Sequence, residues 1–221
     1  MSHRTNKKER VDGLAILAFL AGDHSPAKDG PYRKNVADGI EYLLKMQGKD
    51  GDLRGDGNMY NQGIASIALA EAALMTGNER YREAALRAAK FIARGQSEEL
   101  GGWRYQPGLD SDTSVLGWQV MALHSAEQLG FDFDQTTRRG ITRWLDKVTP
   151  QGSLVAGYTN TQPRLSMTAE AAFTRILMGE TFSDKQLKTM NDYVFANPPG
   201  RGETDYYYMY CGISPCLIFP A

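Results

Sequence analysis

The stretch GIASIALAEAALMTGNERYREAALRAAKFIARG, residues 63–95, joins two different helices across one glycine and decides the fold. From Gly63 to Met75 only Ser66 and Glu71 interrupt an apolar run, so this helix needs cover on both sides. After Gly77 the pattern changes. Tyr81, Ala84, Ala85, Ala88, Phe91 and Ile92 make one stripe, while Arg82, Glu83, Arg87, Lys90 and Arg94 face away. A helix apolar all round, followed by a one-sided helix, predicts a hairpin with a buried and a half-buried member.

The unit recurs on both sides of this stretch. Gly22, Gly77, Gly130 and Gly179 close four apolar helices, and Tyr42, Phe91, Trp144 and Tyr193 mark the second helices at spacings of 49, 53 and 49. Val115, Leu116, Trp118, Val120, Met121, Leu123, Ala126 and Leu129 leave the third apolar helix little polar face, and Val36, Ile40, Leu43 and Leu44 repeat the one-sided stripe. A period near fifty predicts stacked helical hairpins, because one such hairpin cannot bury its own apolar face. Buried helices alternating with one-sided ones describe two concentric layers; an open superhelix of hairpins is the other arrangement. Ser183 to Gln186 reads as a capping box, Asn78 and Asp134 as further caps, and Pro198-Pro199 as a stop. The expected organisation is a disordered basic tail over 1–10 and one helical domain over 11–221.

Composition narrows the function. With 25 basic and 26 acidic residues, a formal charge of -1 offers no footprint for nucleic acid. No segment reads as a transmembrane span, since Ile64 to Met75 is short and carries Glu71. None reads as a signal peptide, and two cysteines, Cys211 and Cys216, make no disulfide framework, so a cytoplasmic location is expected.

Gly39, Tyr42, Leu43, Gln47 and Gly51 stand at the spacing Gly, two residues, aromatic, Leu, three residues, Gln, three residues, Gly. Arg139-Gly140, Trp144 and Leu145 match its first half, and Phe91, Gln96, Gly101, Gly102 and Trp103 match it with one residue inserted. In the fourth unit Asn197 stands where Gln is expected. This pattern resembles the prenyltransferase and squalene-oxidase repeat of squalene–hopene cyclases, related class II terpene cyclases and protein prenyltransferase β subunits. The resemblance implies an α/α toroid, in that family usually of about six hairpins around a cavity. Four hairpins and the start of a fifth at Tyr206 then make an incomplete ring, a fragment truncated at its C-terminus or part of an oligomer or larger assembly.

Gly101-Gly102-Trp103 followed by Asp110-Ser111-Asp112-Thr113-Ser114-Val115 resembles the cyclase stretch in which Asp-x-Asp-Asp-Thr-x-Val supplies the acid that protonates an alkene. Such chemistry needs a carboxyl kept protonated in an apolar cavity, with aromatic faces for the carbocation. Asp112 and, second to it, Asp110 are the candidate acids; Trp103, Tyr105, Trp118, Gln119 and Tyr158 are the candidate substrate-binding residues. Aligned on Thr113 and Val115, however, Asp112 falls on the last Asp of the motif and Ser111 on the proton donor. The plain reading makes Asp112 the N-cap of the next helix and Asp110 a favourable charge beside it. Zinc is not expected: no Cys precedes Cys211, and His3, His24 and His124 lack ligand spacing. No cofactor is implied, and Cys211-Gly212-Ile213-Ser214 is not a thioester motif.

Two functions stay open at this point. One is a non-catalytic module whose inner face binds an apolar, isoprenoid-like ligand or a partner domain. The other is an isoprenoid cyclase with Asp112 as general acid. The polar positions Glu71 and His124, and likewise Ser66, Gln119 and Thr168, recur in register in the apolar helices, to line a cavity or to bond across helices. Tyr206 to Tyr210 reads as a pocket wall or as packing for a next hairpin.

Overall fold

The computed structural model describes residues 8–198, with side chains from Gly13 onward. Eight helices follow one another in this span: α1 (Lys8–Ala21), α2 (Arg33–Met46), α3 (Met59–Thr76), α4 (Glu79–Arg94), α5 (Thr113–Glu127), α6 (Gln135–Val148), α7 (Leu165–Leu177) and α8 (Asp184–Phe195). The described residues form no strand, and an isolated bridge pairs Gly157 with Pro163. The chain is all-α. No helix among the described residues is long and apolar enough to cross a membrane.

Burial separates the helices as their sequences predict. In α3 every residue from Asn61 to Ala70 is buried, and in α5 every residue from Thr113 to Val120. In α4 the buried set is Tyr81, Ala84, Ala85, Ala88, Ala89 and Ile92, and in α6 it includes Ile141, Trp144, Leu145 and Val148. Phe91 departs from the expected stripe: it is half-buried, with the Arg54 guanidinium 5.2 Å over its ring. The odd helices pack in a row, α1 on α3, α3 on α5 and α5 on α7. α2 lies on α1 and α3, α4 on α3 and α5, α6 on α5, and α8 on α7.

The expected caps form. Asn78 accepts from Arg80 N and Tyr81 N, Asp134 from Thr137 N, and Ser183 with Gln186 completes a capping box. Gly77, Gly130 and Gly179 take φ of 65°, 90° and 80°, the left-handed turn that ends the apolar helices. In the first hairpin that turn falls one residue later, on Asp23 at φ 62°, instead of on Gly22.

The glutamines and glycines of the fifty-residue pattern tie the first hairpin to the second and the second to the third. Gln47 Nε2 donates to the Ala84 carbonyl at 2.8 Å, and Gln96 Nε2 donates to the Thr137 carbonyl at 3.0 Å. Gly51 (φ 96°) lies on the Arg87 carbonyl and Gly101 (φ 86°) on the Gly140 carbonyl, so close that a Cβ at either would overlap backbone. Helix α1 begins at Lys8, inside the stretch 1–10 expected as a tail. Residues 1–7, Tyr206 to Tyr210, Cys211 and Cys216 lie outside the described residues.

Candidate functional site

The loop that carries Asp110 and Asp112 is fastened from below by Trp103. Its ring is fully buried in the core, and Nε1 donates to the Ile92 carbonyl at 2.8 Å. Above it the loop closes on itself: Asp112 N donates to the Trp103 carbonyl at 2.9 Å, and Gly102 N donates to Ser111 Oγ at 3.1 Å. Thr113 anchors the start of α5 to the next loop, through its N to the Tyr158 carbonyl at 3.0 Å and its Oγ1 to the Gly157 carbonyl at 2.8 Å.

Asp112 is thereby held with both oxygens occupied. Oδ1 accepts from Val115 N at 2.8 Å, the N-cap bond of α5. Oδ2 accepts from the Tyr158 hydroxyl at 2.9 Å and lies 3.5 Å from Arg104 Nε. Arg104 also pairs with Asp110, whose Oδ1 accepts from Ser111 N at 2.8 Å. One guanidinium thus sits between two carboxylates.

The two carboxyls titrate in opposite directions. Burial pushes Asp112 above the ordinary carboxylate value, against the pull of Val115 N, Tyr158 and Arg104. Arg104 and then Ser111 N hold Asp110 below it. Three phenols close the cluster. Tyr158 OH lies 3.3 Å from Tyr105 OH, Tyr60 OH lies 2.7 Å from Ser114 Oγ, and the rings of Tyr60 and Tyr105 are 6.2 Å apart. Burial raises both Tyr60, against the pull of Ser114, and Tyr158, where the bond with Tyr105 and then the Asp112 charge add to it, so both stay protonated.

Only part of the expected binding set meets here. Asp110, Asp112, Tyr105 and Tyr158 come together, with Tyr105 44% exposed. Trp103, Trp118 and Gln119 do not join them: all three are buried in the core. Gln119 donates to the carbonyls of Met59 at 2.8 Å and Val115 at 3.3 Å, which makes it a bond across α3 and α5. The sequence reading missed Tyr60 and gave Arg104 no role. Aligning the caps would have found Tyr60, because it stands two residues after Asn58 as Ser114 stands two after Asp112.

A second region lies on the flank of the odd helices. Ile67, Glu71 and Met75, one turn apart on α3, form the floor of a groove of about 560 Å³, walled by Leu14, Leu17, Ala18, Leu20 and Ala21 of α1 and by Met121 of α5. Leu14 and Met75 are each about two-fifths exposed. Ser125 of α5 donates to Glu71 Oε1 at 2.8 Å, so this recurring polar position both lines a cavity and bonds across helices. Its counterpart His124 lies 3.6 Å from Glu127 within its own helix. Thr168 bonds to Ala156 of the preceding loop, and Ser66 to the Gln62 carbonyl of its own turn.

Among the described residues no three His, Cys, Asp or Glu side chains are grouped as metal ligands would be. Comparison with family models, with curated proteins and with solved structures returns no match to this chain.

Proposed function

We propose that the chain is a terpenoid-cyclase/prenyltransferase-like module, an open arc of α/α-toroid type, that binds an apolar ligand on the inner face of its odd helices and does no chemistry at Asp112. The observation that carries this reading is the groove between α1, α3 and α5. Its volume of about 560 Å³ suits a small ligand, and its walls are aliphatic or Met apart from Glu71. Soluble chains seldom leave Leu and Met side by side in an open concavity without an occupant. The alternating burial of odd and even helices supports the two-layer arrangement behind the proposal.

The occupancy of Asp112 argues in the same direction. A general acid must offer a proton to an alkene, whereas here one oxygen caps α5 and the other faces Tyr158 and Arg104. The cyclase alternative keeps one supporting observation, the upward push that burial gives Asp112. Incubating wild type and Asp112→Asn with a polyprene separates the two readings: turnover in wild type that disappears in the variant would establish the alternative.

The groove is tested with N-phenyl-1-naphthylamine, whose fluorescence rises on entering apolar surroundings. Wild type should bind it and release it to farnesol, and Leu17→Glu should weaken binding more than about tenfold by placing a charge in the wall. Equal binding by the variant would remove the proposal.

A further inference from the structure

Among its described lining residues the apolar groove contains one charge. Glu71 stands between Ile67 and Met75 on the α3 floor, and the other described lining residues are Leu, Ala, Ile or Met. Ser125 donates to Oε1 at 2.8 Å, which fixes the carboxylate from the α5 side. No described basic side chain pairs with it. A carboxylate turned toward an aliphatic concavity, with no counter-ion among the described residues, is a selective element. It attracts a cation or a hydrogen-bond donor and repels a second anion, more strongly than in open water because the walls screen poorly.

Building on the groove reading, we infer that the ligand class is a cationic-headed amphiphile, a long-chain amine with its chain against the leucines of α1 and its ammonium at Glu71. Charge complementarity selects this head group. A carboxylate or phosphate head would bring a second negative charge to the same wall, and an alcohol would donate one hydrogen bond without neutralising Glu71. The chain is held by apolar area alone, so the head decides among ligands of equal length.

The test displaces N-phenyl-1-naphthylamine from the full chain with dodecylamine, dodecanol and dodecanoate, each below its aggregation threshold and at neutral pH. Dodecylamine should displace the probe at roughly tenfold lower concentration than dodecanol, a difference of about 1.4 kcal/mol, with dodecanoate the weakest. In Glu71→Gln, which keeps an acceptor for Ser125, the three should converge to within about twofold while dodecanol holds its wild-type value. Ser125→Ala retains the charge and should retain the preference. Dodecanoate matching dodecylamine in wild type, or an amine preference surviving in Glu71→Gln, overturns the inference and leaves the groove standing on dodecanol. Failure of dodecanol itself to displace the probe removes the groove, and the inference with it.

Discussion

The two regions solve opposite problems with the same helices. At the N-terminal ends of α3 and α5, charge is buried and every polar atom of Asp112 has a partner. Along the flank of α1, α3 and α5, the described residues leave apolar surface open, with Glu71 the one carboxylate among its described lining. A closed network of this kind specifies geometry, since breaking one member leaves the others buried and unsatisfied. An open aliphatic surface specifies nothing in the folded chain by itself and has meaning through what fills it. The difference teaches that the most conspicuous acidic motif of this sequence is tied into caps and loop bonds, while the open apolar surface lies where the sequence looks plain.

Substitutions can break that contrast. Asp112→Ala should destabilise by about 2–4 kcal/mol, combining the lost cap with a stranded Tyr158 hydroxyl and Arg104, as denaturant unfolding would measure. Asp112→Asn keeps an acceptor for Val115 N and should cost under about 1 kcal/mol. A loss as large as that of the Ala variant would mean that the charge, and not the cap, holds the loop. In the groove, Leu14→Ser should shift stability by no more than about 1 kcal/mol, because the side chain is already about two-fifths exposed, yet still weaken probe binding. A large loss of stability there would turn the groove into ordinary core.

The smallest effect is a pH slope. Asp112 has its folded value raised, so the folded state binds the proton more tightly than the unfolded chain. Stability from this group is greatest below the ordinary carboxylate range of about 4 and declines as pH rises through its raised value. Asp110 runs the other way: its contribution is present above that range and is lost as pH falls through its lowered value. Asp112→Asn should remove the decline on the alkaline side of about pH 4 and leave the acid-side loss in place, as unfolding midpoints across pH would reveal.

Much of the helical framework was legible because its signals are local. The capping box at Ser183 and the caps at Asn78, Asp112 and Asp134 depend on residues within three positions of one another. The burial of α3 and the stripe of α4 follow from periodicity. What lay beyond reading was rotation. Trp103 stands beside the acidic loop in sequence, and nothing in its neighbours says that its ring turns down to Ile92 and away from Tyr105. The groove was hidden for the same reason: an all-apolar helix announces that it needs cover, but not which stripe its neighbours leave bare. Arg104 joins Asp110 and Asp112 only because the loop folds back from Trp103 to Asp112.

The linear stacking of α1, α3, α5 and α7 has a mechanical corollary. Since Gln47 and Gln96 fasten the first hairpin to the second and the second to the third, and the fourth packs on the third through α5 and α7, a pull on the chain ends should peel the described hairpins link by link, like couplings on a train. Under load it would extend in several small steps in place of one rupture.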